Sequence, residues 1–289
     1  MTDSSGSPVP ATEPSPARGK KRRAGRNVPV ATAVGGTLAA LVLVTVYTVT
    51  ALFVVLVAVA VVIAVYEVCQ VLAGNAIDVP VVPLMVGGAA MVVAAYTDGT
   101  DALTVALVLT IVAMAAARLA GPGGDRLTKD MVVGAFVAVY VPLLAASAVL
   151  MVAADDGADR IVVFILAVVL SDTGGFAAGV RFGKHPMAPS VSPKKSWEGL
   201  AGSVVAATVG SAVAVPLLLG ATWWQGALVG LVAVATATAG DLAESLLKRD
   251  LGVKDMGRLL PEHGGIMDRL DSLLPTAPVM ALVLAAVAG

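Results

Sequence analysis

Charged and polar side chains are concentrated in residues 260–275, LPEHGGIMDRLDSLLP, within a chain that is mostly valine, alanine and leucine. Gly264 and Gly265 allow backbone N–H groups to form an anion-binding concavity ahead of a helix. Asp268 and Asp271 follow three residues apart, so both can face one ion from the same side of that helix. The stretch therefore predicts a site for an ion or an anionic ligand.

A second polar stretch, GDLAESLLKRD, directly follows an apolar run. On a helix, Asp241, Ser245 and Lys248 fall on one face at i, i+4 and i+7. The alternative is an exposed helix end with a solvated charge stripe. Asp241 together with Asp268 and Asp271 would form a set of hard oxygen ligands, which suits Mg²⁺.

Zinc is disfavoured because His185 and His263 are the only histidines in the chain. His263 is interpreted as an orienting or phosphate-binding group, with a helix-capping role as the alternative. Carboxylates for a divalent ion among lysines and arginines indicate nucleotide or phosphate chemistry. Phosphoryl transfer depends on alignment, charge neutralisation and a metal clamp rather than on covalent help from the protein.

Asp172 lies inside another apolar run, in the sequence SDTGGF. A carboxylate at membrane depth is expensive and is a functional candidate for that reason. The alternative is an aspartate that caps a broken helix, with Gly174 and Gly175 supplying the break, since unwound backbone survives at depth only beside protein or a wet cavity.

The segment SPKKSWEG carries four side chains able to hold phosphate oxygens: Ser192, Lys194, Lys195 and Ser196. Lysine supplies point charge and the hydroxyl groups supply hydrogen bonds. The alternative is an ordinary basic loop in which Trp197 marks the membrane interface.

The composition predicts an integral membrane protein that positions these residues on helices. Of 289 residues, 58% are hydrophobic and 13% are charged, and the mean hydropathy is +0.91. Soluble domains carry about 25% charged residues. The net charge of −1 offers no support for a nucleic-acid partner, and the single cysteine, Cys69, excludes an internal disulfide.

We predict an all-α polytopic fold with about nine transmembrane helices, since each span needs roughly 20 apolar residues. The run 28–66 provides two helices with a turn near 47–50, and the others lie near 79–96, 101–119, 131–153, 160–180, 199–219, 223–247 and 272–288. Three regions follow: a disordered basic tail (1–27), an N-terminal helical region (28–155) and a C-terminal catalytic region (156–289).

The basic residues predict the orientation of the helices. With the N-terminus in the cytoplasm and nine alternating helices, every Lys and Arg except Arg160 falls on the cytoplasmic side. This agrees with the positive-inside rule. The candidate site residues lie on the cytoplasmic side of the cell membrane, where nucleotides are available.

The stretch SLLKRDLGVKDMGRLLPEHGGIMDRLD, residues 245–271, resembles the C-terminal pattern of the membrane CDP-diacylglycerol synthases, also called phosphatidate cytidylyltransferases. The segments SDTGGF, SPKKSWEG and GDLAES resemble other stretches of that family. The motif-bearing resemblance covers about residues 170–275. The N-terminal half is similar only as a hydrophobic helical region.

The resemblance implies transfer of CMP from CTP to phosphatidic acid, giving CDP-diacylglycerol and pyrophosphate for phospholipid biosynthesis. It implies Mg²⁺, or Mn²⁺, on Asp241 and Asp268, with K⁺ as a second ion, and a homodimer in the lipid bilayer. The basic residues that it makes candidates for contacts with substrate phosphates are Lys194, Lys195, Lys248, Arg249, His263 and Arg269. Further substrate-binding candidates are Asp172, Ser192, Ser196, Ser245, Gly264, Gly265 and Asp271.

Two other classes of membrane protein are alternatives. A polyprenol or dolichol kinase also uses CTP in a membrane, but the unbroken 245–271 pattern argues against it. A transporter of anionic lipids or ions would carry its charges through both halves of the chain, whereas here they lie in the C-terminal half.

Overall fold

The computed structural model describes residues 28–121, 126–259 and 264–288, with side chains from residue 35. Within these ranges the chain forms helices joined by short turns, with one small hairpin. The elements are α1 (Val28–Thr48), α2 (Thr50–Gly74), α3 (Val81–Thr97), α4 (Gly99–Ala120), α5 (Leu127–Ala138), a π-helical turn (Val139–Leu143), α6 (Leu144–Val152), α7 (Gly157–Phe182), β1 (Pro186–Ala188), β2 (Ser192–Ser196), α8 (Trp197–Leu219), α9 (Trp223–Asp250), α10 (Met267–Leu270) and α11 (Leu273–Ala288). The predicted tail, 1–27, lies outside the described residues.

The predicted helical fold is confirmed, with β1 and β2 as an unpredicted antiparallel pair. The first apolar run divides at Val49, within the predicted turn. In the described part of the chain, seven helical stretches are long and apolar enough to cross a membrane, and Gly35–Thr48 and Val81–Thr97 are shorter apolar helices. The count of nine crossings therefore stays a prediction.

The π-helical turn lies where a proline interrupts an otherwise continuous helix from Leu127 to Val152. Proline lacks a backbone N–H and its ring crowds the preceding turn, so an α-helix must widen or kink there. Pro142 is buried, and it packs beside Gly88 of α3, where a larger side chain would meet the proline ring. The widened turn thus keeps α5 and α6 packed as one rod.

Helices α7 and α8 pack closely through glycine and form one wall of the functional region. A Cβ atom on Gly202 would lie 2.6 Å from the carbonyl oxygen of Gly174, so backbone meets backbone at this point. The alternative of a helix break at Gly174 and Gly175 is wrong, because α7 runs without interruption from Gly157 to Phe182. The glycines provide close approach instead of a break.

The polar loops predicted to lie on one side of the membrane do meet at one end of the bundle. The Asn75 side chain donates to the carbonyl of Leu251, and Arg126 donates to the carbonyl of Ala76. A buried ion pair joins Arg118 and Asp130 at 2.8 Å. These contacts tie the ends of α2, α4 and α9 together.

The opposite end carries its own polar contacts and aromatic residues. The Tyr47 hydroxyl donates to Asp159 at 2.7 Å, which joins the end of α1 to the start of α7. Exposed Trp223 and Trp224 begin α9 there, while exposed Trp197 begins α8 at the end with the polar loops. Tryptophan at both ends is typical of a membrane-spanning pair, and the 23 residues of α8 span about 34 Å at a helical rise of 1.5 Å per residue.

Candidate active site

A cavity of about 340 Å³ lies between α7, the β1–β2 hairpin, α8 and α9. Its lining includes six of the residues predicted from the sequence: Asp172, Ser192, Lys194, Lys195, Ser196 and Asp241. Three separate sequence segments therefore converge on one space. Gly175, Gly179 and Gly199 line it too, so small residues of α7 and α8 leave the room that the cavity fills.

The central contact of the cavity is an ion pair between Lys195 and Asp241. The Nζ atom of Lys195 lies 2.6 Å from Oδ2 of Asp241. The Ser245 hydroxyl, one turn further along α9, donates to Oδ1 of Asp241 at 3.4 Å. Asp241 and Ser245 thus lie on one helical face as predicted, and β2 contributes the cation.

The hairpin is held against α8 by its own hydrogen bonds. The Ser196 hydroxyl accepts from Gly199 N–H at 3.1 Å, and this caps the start of α8. Glu198 binds the ring Nδ1 of His185 at 2.6 Å and accepts the backbone N–H groups of Lys184 and His185. Ser196 is therefore a helix cap that also faces the cavity.

Arg249 connects the end of α9 to the same hairpin, because its Nε atom donates to the carbonyl oxygen of Val191. Its guanidinium group is otherwise exposed. Lys194 is exposed at the cavity edge, and Arg269, at the end of α10, is exposed as well. Within the described residues, none of these three cations forms an ion pair with a carboxylate.

Below the cavity, Lys248 joins α9 to α10. Its Nζ atom lies 2.5 Å from Oδ1 of Asp268 and 3.0 Å from Oε2 of Glu244. Glu244 is 1% exposed and Asp268 is 3% exposed. One ammonium group therefore contacts two buried carboxyl groups.

The Asp268 carboxylate also binds the loop that precedes α10. Its carboxylate accepts the backbone N–H groups of Met256 at 3.0 Å, Gly257 at 3.3 Å and Gly265 at 2.8 Å. The anion-binding loop predicted at Gly264 and Gly265 thus exists, but the anion that it holds is the Asp268 side chain. Gly264 has φ +79°, a conformation that favours glycine.

Asp271 has different partners from Asp268, although they are three residues apart. It accepts the N–H of Ser272 at 2.7 Å, and its carboxyl group approaches that of Glu244. Among the described residues, no group of three or more histidine, cysteine or acidic side chains is arranged to hold a metal ion. His263, the remaining predicted residue, lies outside the described residues.

Two acidic residues of this region were not predicted from the sequence. Glu244 lies four residues before Lys248, so the helical pairing rule already indicated that contact. Glu67 ends the charge-free run of α1 and α2, and its side chain accepts the backbone N–H of Met267. The rule that flagged Asp172, a carboxylate inside an apolar helix, applied equally to Glu67.

Most of the chain matches a known protein family. The model of the cytidylyltransferase family matches residues 30–287, so the protein belongs to this family and is a nucleotidyltransferase of the membrane type.

Its relatives include three bacterial proteins named phosphatidate cytidylyltransferase. That of Mycobacterium leprae (strain TN) is 42% identical over 272 residues, covering 89% of this chain and 87% of the relative. That of Mycobacterium bovis (strain ATCC BAA-935 / AF2122/97) is 39% identical and covers 98% of both. The Haemophilus influenzae protein is 44% identical over 121 residues, 40% of this chain and 42% of the relative.

Proposed function

We propose that the protein is a phosphatidate cytidylyltransferase, which transfers CMP from CTP to phosphatidic acid and releases pyrophosphate. The observation that carries this proposal is the meeting of Lys195 and Asp241 inside a cavity at the polar end of a membrane helix bundle. A lipid substrate requires the apolar helices, and a triphosphate requires the lysines. The relatives' names support the same reaction.

The donor groups fit a divalent cation such as Mg²⁺. Asp241 and Asp268 each lie within 2.6 Å of a lysine ammonium group, so each carboxylate already attracts a cation. Mg²⁺ is usually held by one or two carboxylates together with substrate phosphates and water. We therefore assign Asp241 and Asp268 as its protein ligands. When bound, the ion would polarise the nucleotide phosphates and neutralise developing charge.

The residues of this chain then have separate tasks in the transfer. Lys194 and Lys195 face the cavity, where they would hold the phosphates of CTP in line for attack. Ser192 faces the same space and would donate a hydrogen bond to a phosphate oxygen. Arg249 and Arg269 at the edge would balance the charge of the departing pyrophosphate.

The reaction itself needs one bond to form and one to break. A phosphate oxygen of phosphatidic acid attacks the α-phosphorus of CTP, and the bond from that phosphorus to the bridging oxygen of the β-phosphate breaks. Pyrophosphate leaves with that electron pair. A general base contributes little, because a phosphate monoester with a second pKa of about 6 is largely ionised near neutral pH.

The lipid would enter the cavity from the side. Phe176 of α7 lines the cavity and is 72% exposed, and Val180, one turn further along, is 73% exposed. An apolar surface next to a charged cavity suits a lipid whose acyl chains stay in the bilayer while its phosphate reaches Lys194 and Lys195.

The distribution of basic residues supports a cytoplasmic N-terminus and a cytoplasmic active site in the cell membrane.

The homodimer implied by the family resemblance stays a prediction, which light scattering of the detergent-solubilised protein tests. Two copies per particle are the expected result. K⁺ as a second ion stays a prediction too, tested by exchange of K⁺ for Na⁺ in the assay.

The proposed reaction is tested with purified protein in detergent, phosphatidic acid, Mg²⁺ and CTP labelled at either the α- or the γ-phosphate. The proposal predicts label in the lipid phase from α-labelled CTP and none from γ-labelled CTP. A lipid kinase would give the reverse pattern. Absence of lipid label from α-labelled CTP, with correctly folded protein, would contradict the proposal.

A further inference from the structure

A buried carboxylate from the N-terminal half of the chain reaches the active-site loop. Glu67 lies on α2 and is 7% exposed. Its Oε2 atom accepts the backbone N–H of Met267, the first residue of α10, at 2.9 Å. Glu67 is the one carboxylate of the apolar helix α2, and it binds a backbone group 200 residues further along the chain.

The loop is shaped to receive this side chain. A Cβ atom on either Gly257 or Gly265 would collide with the carboxylate oxygens of Glu67. Both positions must therefore be glycine for the side chain to fit, unless the helix or the loop shifts. A shift of either the helix or the loop would disturb a buried, hydrogen-bonded carboxylate, so it would be destabilising.

Asp268 binds the same loop. That carboxylate accepts the N–H groups of Met256, Gly257 and Gly265, and it pairs with Lys248. Glu67 and Asp268 therefore both contact Gly257 and Gly265. The position of Asp268, and with it the position of Lys248, depends on where Glu67 holds the start of α10.

We propose that Glu67 is a positioning residue, which fixes Gly257, Gly265 and Met267 so that Asp268 and Lys248 are presented to the metal and the nucleotide. This inference rests on the proposed function. It gives the N-terminal half a part in the chemistry, since α2 then sets the geometry of ligands in the C-terminal half. Glu67 acts through the loop and contacts no reacting atom.

The test compares Glu67→Gln with Asp130→Asn. Asp130 is the control because it is also buried at the same end of the bundle and accepts a backbone N–H, that of Asp78 at 3.1 Å, and it pairs in addition with Arg118. Removal of a residue that orients a metal ligand typically costs about 10–100-fold in metal affinity or activity. Glu67→Gln should raise the half-saturating Mg²⁺ concentration by about that factor, whereas Asp130→Asn should leave it unchanged even if its melting temperature falls.

A second readout does not depend on turnover. Met256 is 3% exposed, so a cysteine at that position should react slowly with a maleimide while the loop is held. Adding Glu67→Gln should speed that reaction, and adding Asp130→Asn should not. Cys69 is buried and can stay in place.

If Glu67→Gln does not fold, Glu67→Asp keeps the charge but shortens the side chain, and it should show the same two changes to a smaller degree. Folded Glu67 variants with the wild-type Mg²⁺ dependence and slow labelling would overturn the inference. Failure of the proposed function is a separate result, because the wild-type protein itself would then not transfer the α-label to lipid.

Discussion

The ammonium group of Lys195 lies 2.6 Å from the Asp241 carboxylate, so strand β2 and helix α9 meet at an ion pair inside the cavity. We assign Asp241 to Mg²⁺ and Lys195 to a phosphate of CTP, and both assignments require this pair to separate when substrate binds. Lys195 and the metal therefore compete for the same carboxylate.

Replacement of Lys195 should have two opposite effects. In Lys195→Gln, Mn²⁺ binding without nucleotide, measured by electron paramagnetic resonance, should tighten because the competing ammonium group is gone. The kcat/KM for CTP should fall by roughly 10²-fold, the usual cost of losing one electrostatic contact in the transition state. Lys184→Gln, an exposed lysine at the same end, is the control. Unchanged Mn²⁺ affinity in Lys195→Gln would show that the pair does not compete with metal.

The order and bounds of the helices were predictable because hydrophobic length is a strong signal in a membrane protein. The run from Val28 to Tyr66 divides at Val49 as expected, but α2 continues past the end of the run to Gly74. The later helices lie within a few residues of the apolar runs. The hairpin was not predictable, since β1 and β2 are short, and Arg249, which binds the Val191 carbonyl between them, lies 58 residues away in the sequence.

The candidate site was predictable where a motif kept its residues close in sequence or gave them one chemistry. Asp172, Lys195 and Asp241 share a cavity as their types suggested. The partner of each group was not predictable, because Lys248 can reach Glu244 by helical spacing but reaches Asp268 only through the tertiary fold. The contact of Glu67 with Met267 spans the fold in the same way.

The close packing of α7 on α8 predicts a large effect from one added methyl group. In Gly202→Ala, the new Cβ atom would meet the backbone of Gly174, which cannot move alone. Overpacking of this kind costs roughly 1–3 kcal/mol. Gly210→Ala on the same helix meets only the end of the flexible Leu170 side chain, so it should cost less. Thermal unfolding in detergent measures both, and equal melting temperatures for the two variants would contradict the packing described.

The proposed orientation predicts which loops a membrane-impermeant reagent can reach. Asp155 is exposed between α6 and α7, and Ser190 is exposed in the hairpin turn at the other end. A cysteine at position 155 should label in intact cells, and a cysteine at position 190 should label only after the membrane is opened. Labelling of position 155 only in opened membranes would reverse the topology.

The two proposed metal ligands should differ in what they contribute to stability. Asp268 is buried and accepts several backbone N–H groups, so Asp268→Asn should lower the free energy of unfolding by roughly 1–3 kcal/mol. The Asp241 side chain is 33% exposed, and an ion pair that open to solvent contributes only about 0–1 kcal/mol. Thermal unfolding should therefore rank Asp268→Asn well below Asp241→Asn, and the reverse order would contradict the contacts described for Asp268.

The central claim is that Asp241 of the cavity and Asp268 of the loop act together in one metal-dependent centre. The direct measurement is transfer of α-label from CTP to phosphatidic acid by the folded Asp241→Asn, Asp268→Asn and double variants, with Mg²⁺ titrated in each. Each single change should reduce the rate by about 10²–10³-fold, and the double variant should be far less impaired than the product of the two, because both remove the same centre. Folded single variants with wild-type rates and unchanged Mg²⁺ dependence, or a double variant whose loss equals that product, would contradict a shared centre.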